Sequence, residues 1–224
     1  MSFRSILDVF REDNWSEELV DKIMEMLNLS ADMFNYTIGV LVDGQPDEDP
    51  QQLLYNRDIR INKLERKIRR AVVSRLSVRG SRAEVPSALI FMNVVKDAER
   101  LGDYVKNLHE VNAMMPKNPD RGLYRDHLAE PAATISELFT LTRQAFLQSD
   151  EEMAGKVIKK AKAQGRMHED EIRNITTSDL ATQDAVCLVL VLRFFKRLVA
   201  HMSNIASTVV MPVDMIDFYD ESEN

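Results

Sequence analysis

The chain holds a single cysteine, Cys187. One thiol excludes an internal disulfide and any paired-cysteine zinc or redox motif, and it suits a reducing compartment. Glycine and proline are also scarce, at seven each in 224 residues. All-β chains need many turns rich in these two residues, so their scarcity favours long helices. No long hydrophobic run occurs: the apolar stretch Ala185 to Leu192 stops at Arg193. Eight residues cannot span a bilayer, so this stretch reads as a buried core helix. The N-terminus lacks the charged, apolar and cleavage regions of a signal peptide, and the expected location is cytoplasmic. Positive charge is in deficit, with a formal net charge of −7, which argues against a nucleic-acid partner. What the chain does have is 45% hydrophobic and 29% charged residues, enough for a sizeable core and a well-solvated surface.

Helical periodicity accounts for most of the length. Ser16 is expected to cap a first helix with Glu17 and Glu18 in its first turn, followed by an apolar stripe at Leu19, Ile23, Met26, Leu27, Ser30, Met33, Phe34 and Thr37. Gly44-Gln45-Pro46 ends it. A second helix is expected from about Gln51 to Ser77, with Ile61, Leu64, Ile68 and Val72 as its stripe, broken by Gly80-Ser81. The third runs from about Pro86 to Ala113. Met115 to Gly122 contains two prolines and reads as a linker. Beyond it a fourth helix spans about Leu128 to Leu147, and a fifth, capped by Asp150, runs to about Ile175. The last is capped by Thr177 or Ser178, ends at Val210 before Pro212, and precedes an acidic tail of Asp214, Asp217, Asp220, Glu221 and Glu223. The expected fold is all-α, six long antiparallel helices forming two tandem three-helix bundles. The expected units are 1–114, with a short N-terminal extension, and 123–224.

The two halves show a weak internal match. An offset of 97 lays Val191, Arg197, Leu198 and Asn204 on Val94, Arg100, Leu101 and Asn107. An offset of 104 lays Glu169, Ile172, Arg173 and Ser178 on Glu65, Ile68, Arg69 and Ser74. Shared order and register support a duplication.

The sharpest chemical signal is the segment Lys96-Asp97-Ala98-Glu99-Arg100-Leu101-Gly102-Asp103-Tyr104-Val105-Lys106-Asn107. Glu99, Asp103 and Asn107 recur every four residues, so they stack along one helical face about 6 Å apart. Asp58 and Asn62 make a similar ladder on the second helix, with Glu65 one turn further. Oxygen donors on two facing helices suit a hard cation, and Gly102 would permit the close approach. Acid pairs on a solvated helix face are the commoner meaning of such spacing.

This segment resembles the helix-three signature of PhoU-like phosphate-uptake regulators, D-x-E-R-[IL]-G-D-H-x-x-N-I. The stretch Asp58 to Glu65 is similar to that family's helix-two pattern. The resemblance implies a pair of three-helix bundles that dimerise, metal clusters held by acidic motifs, and negative regulation of phosphate uptake and the starvation response. Carried over residue by residue, the metal ligands would be Asp58, Asn62, Glu99 and Asp103, with Asn107 in a hydrogen-bonding role. Iron, zinc, manganese or magnesium would all suit such donors. The implied partners are a phosphate transporter or a phosphate-sensing histidine kinase, with peripheral membrane association through the transporter.

The second repeat departs from this pattern. On the two offsets, Asp58, Asn62, Glu99 and Asp103 become Lys162, Arg166, Lys196 and Ala200. Lysine and arginine offer no acceptor, so a metal is expected in the first repeat only. The three cations would bind an anion or pair with Glu137 or Asp170.

Other signals are weaker. The second helix is strongly basic (Arg60, Lys63, Arg66, Lys67, Arg69, Arg70, Arg75, then Arg79 and Arg82). This reads as a solvated face complementing the acidic first helix, or as a patch for anionic lipid or an acidic partner. Met1 to Phe10 could form a short amphipathic helix. His109, His127, His168 and His201 fall in no metal or catalytic spacing, and no phosphate loop or nucleophile motif occurs. The reading is a binding protein, not an enzyme. Its rivals are a metal-dependent enzyme built on a helical bundle and a metal-free helical scaffold.

Overall fold

The structure is a computed structural model that describes residues 14–78 and 84–217. The expected break at Gly80-Ser81, the basic residues Arg79 and Arg82, the stretch Met1 to Phe10 and the tail acids Asp220, Glu221 and Glu223 lie outside these residues. Among the described residues there are six long helices: α1 Asn14–Leu41, α2 Asn56–Leu76, α3 Val85–Glu110, α4 Arg121–Gln148, α5 Glu151–Thr176 and α6 Thr182–Val210. A π-helical turn, Gln51–Tyr55, leads into α2, and short 3₁₀ turns follow α3 and α6. There is no strand among the described residues, and no helix is long and apolar enough to cross a membrane. The helices α1, α2 and α3 pack together, as do α4, α5 and α6.

The apolar stripes read from the sequence form the core. Leu19, Ile23, Met26, Leu27, Met33 and Phe34 of α1 are buried, as are Ile61, Leu64, Ile68 and Val72 of α2. Two helix starts differ from expectation. The first helix begins at Asn14, ahead of Ser16, so Ser16 is buried within the helix instead of capping it. The last begins at Thr182; Thr177 and Ser178 bond back to carbonyls at the end of α5 and do not cap α6. Asp150 caps α5 as expected, accepting from the Met153 amide.

The linker is shorter than its composition suggests. Asp120 accepts from the Gly122 and Leu123 amides at 2.9 and 3.3 Å and starts α4 at Arg121, a full two turns before Leu128. Arg121 and Gly122 are therefore the first turn of α4. The Arg121 guanidinium donates to the Leu41 and Val40 carbonyls at the end of α1, at 2.8 and 3.2 Å. It satisfies acceptors that a helix C-terminus leaves open and ties the second bundle to the first. Gly44 sits beside this contact at φ +71°, a conformation glycine adopts without strain.

The bundles meet along α3 and α6, and along α1 and α4. Phe34 of α1 lies between Phe139 of α4 and Phe195 of α6, with ring centroids 5.7 and 5.9 Å away. The polar part of the joint is Asp97 of α3. It is 2% exposed, and it accepts from His201 Nδ1 at 2.6 Å and from Asn204 Nδ2 at 3.3 Å, both on α6. The His201 ring stacks on Tyr104, centroids 5.4 Å apart. The 97-residue offset makes Tyr104 and His201 equivalent, so matching positions of the two repeats meet face to face. The same offset pairs Asp97 with Phe194, and Phe194 packs against Tyr104 at 6.3 Å. One side of the joint is thus a polar pair and the other an aromatic pair.

The remaining histidines are structural. His109 contacts Asp47 at 3.1 Å and His127 contacts Glu171 at 2.6 Å. His168 of α5 is 1% exposed, and neither ring nitrogen has a hydrogen-bond partner. Burial first, and the Lys196 charge second, push its pKa from 6.5 down to about 4. Between these values the unfolded chain binds a proton that the folded chain refuses. Stability from this site is complete above about pH 6.5 and falls as pH drops toward 4, by about 3 kcal/mol at 1.36 kcal/mol per unit. His168→Leu should leave stability unchanged or higher at pH 7 and flatten its loss between pH 6.5 and 4. Urea denaturation of both proteins across that range checks this; parallel pH profiles would show that His168 is not the group responsible.

Candidate functional site

The site expected from the sequence lies on the facing surfaces of α2 and α3. Close approach of these helices depends on Gly102. A Cβ there would meet Ile61 Cδ1 at 2.7 Å, and Ile61 is fully buried. The approach brings Asp58 of α2 beside Asp103 of α3, with Glu99 one turn away on α3 and Asn62 one turn along α2. Asp58 is 9% exposed; Asn62, Glu99 and Asp103 are half-buried.

Two cations stand among these acids. Lys106 Nζ lies 3.3 Å from Asp58 Oδ2 and 3.2 Å from Asp103 Oδ1, so one ammonium bridges the two helices. Burial opposes its charge, but the two carboxylates outweigh that and hold Lys106 above the ordinary lysine range. Arg100 lies 3.4 Å from Asp103 Oδ2 and 3.9 Å from Glu99 Oε2. Glu65, further along α2, pairs with Arg69 at 2.7 Å.

Glu99 is the least compensated member. Its carboxyl is raised above the ordinary glutamate range, chiefly by burial and then by the Glu65 charge; Asp103 and Asp58 add to this, and Arg100 opposes it. The cluster is short of positive charge at that point. Among the described residues, no three Asp, Glu, His or Cys side chains converge as a ready ligand set. The donors themselves suit a hard cation: three carboxylates and an amide on two packed helices. Asp58 and Asp103 already share one cation, the Lys106 ammonium.

The sequence reading named Asp58, Asn62, Glu99 and Asp103 and missed Lys106. The signal was there: Lys106 is three residues beyond Asp103, on the same side of α3. The Asp97–His201 tie was also missed, because nothing in the spacing pairs residues of two distant helices. Elsewhere, the basic face of α2 partly serves α1 as expected, with Arg60 bidentate to Glu25 at 2.7 and 3.0 Å. Arg75 pairs with Glu84 and lies 5.7 Å over the Trp15 ring. Lys63, Arg66, Lys67 and Arg70 remain exposed.

The positions equivalent to this site in the second repeat also come together. Lys162, Arg166, Lys196 and Ala200 line one pocket of about 430 Å³ between α5 and α6. Lys196 pairs there with Glu169, the counterpart of Glu65. Neither acid expected to pair with these cations does so with Lys196: Glu137 pairs with Lys160, and Asp170 with Arg173.

Fold and site together define an all-α protein of two three-helix bundles, with an acidic helix–helix seam in the first and a basic one in the second. A profile of the PhoU domain matches residues 23–111. A PhoU homologue of Thermotoga maritima, described as a phosphate-specific transport system accessory protein, is 37% identical over 100 residues. That match spans 42% of this chain and 41% of the relative, so the chain aligns with about two fifths of the relative's length. The crystal structure of PhoU from Pseudomonas aeruginosa superposes with a TM-score of 0.77, over 92% of this chain and 99% of that one. Identity there is 20%, so this likeness concerns the fold. The chain is thus similar to the PhoU domain over residues 23–111 and shares the fold of a PhoU protein over nearly all of its length.

The electrostatics of Glu99 can be tested without any ligand. Its raised pKa means that the charged form is penalised in the folded state. In metal-free buffer at pH 7, Glu99→Gln should raise the melting temperature slightly. A fall would show that the Glu99 charge is satisfied where it stands.

Proposed function

We propose that this protein regulates phosphate uptake by binding, as a PhoU-like accessory of a phosphate transporter, a phosphate-sensing histidine kinase, or both. The observation that supports it is the Asp58–Glu99–Asp103 seam, which lies within the stretch that the PhoU domain profile matches. The chain would act in the cytoplasm as a homodimer and reach the membrane only through its transporter. Its units would be 1–114 and 123–224, the first bearing the metal. Catalysis is not required. The test is a deletion strain carrying the gene on a plasmid. Loss should raise phosphate uptake and starvation-gene expression in phosphate-replete medium, and the plasmid should restore repression. Unchanged uptake and expression would favour a scaffold with no link to phosphate. Turnover of phosphate esters or other substrates by purified protein would favour the enzyme reading.

In this reading Asp58, Asn62, Glu99 and Asp103 hold one hard divalent or trivalent cation, which would supply the charge that Glu99 lacks. The chain's own contribution is to set the competition. Lys106 neutralises Asp58 and Asp103 when no metal is bound, and it must give way when one is. Lys106→Met should therefore tighten Mn²⁺ binding by tenfold or more, measured by titration of the metal's spin-resonance signal. Asp103→Ala should abolish it. Absence of binding to both the parent and Lys106→Met would remove the metal from the proposal and leave the regulatory role to be judged by the deletion strain.

A further inference from the structure

The helix–helix seam of the second repeat is basic where that of the first is acidic. At the same four positions the first repeat carries three carboxylates and an amide, and both halves fold. The pocket collects three cations and one acid on a chain whose net charge is −7. Lys162 and Arg166 are four residues apart on α5, so they stand about 6 Å apart along one face. Lys196 faces them from α6 and is engaged by Glu169. Among the described residues Arg166 makes no ion pair, and its side chain is exposed.

The floor of the pocket is small-chained. A Cβ built on Gly165 would meet nothing within 4 Å, and Ala200 stands where the first repeat has Asp103. The backbone is therefore open between the two cation-bearing helices. Glu169 sits in a positive field: its carboxyl is held below the ordinary range by the hydrogen bond and charge of Lys196, with Arg173 and Arg193 contributing. The one acid at the site behaves as a resident anion on a cationic surface.

We propose that the groove between α5 and α6 is an anion site for a phosphate group, held by Arg166, Lys162 and Lys196, with Glu169 as its internal competitor. Three cations lining one pocket, one a guanidinium able to bond two oxygens at once, match a multiply charged tetrahedral oxyanion better than a lone carboxylate. A volume of about 430 Å³ equals roughly fourteen waters at about 30 Å³ each. Inorganic phosphate enters with part of its hydration; a phosphate monoester or a lipid headgroup also fits. This site is separate from the acidic seam and does not depend on the regulatory reading.

The test uses the full chain in chloride buffer. One arm titrates inorganic phosphate by calorimetry. The other floats the protein on phosphatidylcholine vesicles with and without phosphatidic acid. Free phosphate as the ligand predicts saturable binding that Arg166→Ala weakens tenfold or more and Glu169→Gln strengthens several-fold, because Lys196 is released. The gain in Glu169→Gln cannot come from misfolding. A lipid phosphate as the ligand predicts no calorimetric signal but flotation with phosphatidic acid, lost in Arg166→Ala and kept in Lys63→Ala on the exposed face of α2. Silence in both arms, or binding that Arg166→Ala and Lys162→Ala leave unchanged, overturns the proposal. An acidic peptide of a partner protein would give that double silence.

Discussion

Asp97 carries a carboxylate at the centre of the molecule, 2% exposed, and such a group is tolerable only where donors meet it. Its donors come from the other bundle, His201 and Asn204 on α6. A half-turn rotation of α6 would withdraw both and leave a buried anion unpaired, a far larger cost than any surface contact could offset. The pair therefore fixes the rotation of α6 against α3. The stacking of Tyr104 on His201 fixes their translation, because those rings meet only when equivalent turns lie level. Apolar packing around Phe34, Phe139 and Phe195 supplies area but tolerates small shifts; the polar tie does not.

With that register set, the outer faces follow. The face of α3 turned from α6 meets α2, and the corresponding face of α6 meets α5. The two seams are thus the same place seen twice. What differs is charge. In the first, Lys106 and Arg100 stand among Asp58, Glu99 and Asp103; in the second, Glu169 stands beside Lys162, Arg166 and Lys196 and pairs with Lys196. Each seam holds an internal counter-charge of the opposite sign, anchored one turn from the residues it serves. A helix pair tolerates either sign because both seams are half open to water, where screening keeps the cost of an imbalance small.

The sequence was informative where a rule is local. Stripes at helical spacing located the cores of α1 and α2 residue by residue, and Asp150 announced the start of α5. The oxygen donors of the first seam could be read because a period of four on each helix puts them on one face. Caps were misread where a better partner sat nearby: Ser16 lost its place to an earlier helix start, and Asp120 began α4 through residues that look like turn formers. Contacts between distant helices were not legible. Nothing in the one-dimensional pattern pairs Asp97 with His201, 104 positions away, or directs Lys106 to Asp58 across α2. Those are products of the packing angle, which the apolar stripes constrain only collectively.

The internal counter-charges bear on how a PhoU-like chain could respond to its surroundings. Without Lys106 the carboxylates Asp58 and Asp103 would face each other across the α2–α3 seam with no ammonium between them. With Lys106 in place the empty state is already compensated at Asp58 and Asp103, and only Glu99 feels the deficit. If this seam took up a cation as proposed, one positive charge would replace another, with Gly102 and Ile61 still setting the α2–α3 approach. What would change is the Lys106 ammonium, which would have to leave a half-buried seam for the surface. The second seam is the mirror case. An entering anion would compete with Glu169 for Lys196 and move a carboxylate outward. In both seams a ligand would be reported on the surface by the side chain it displaces, without any change of fold. A partner that reads charge at either groove could tell the two states apart.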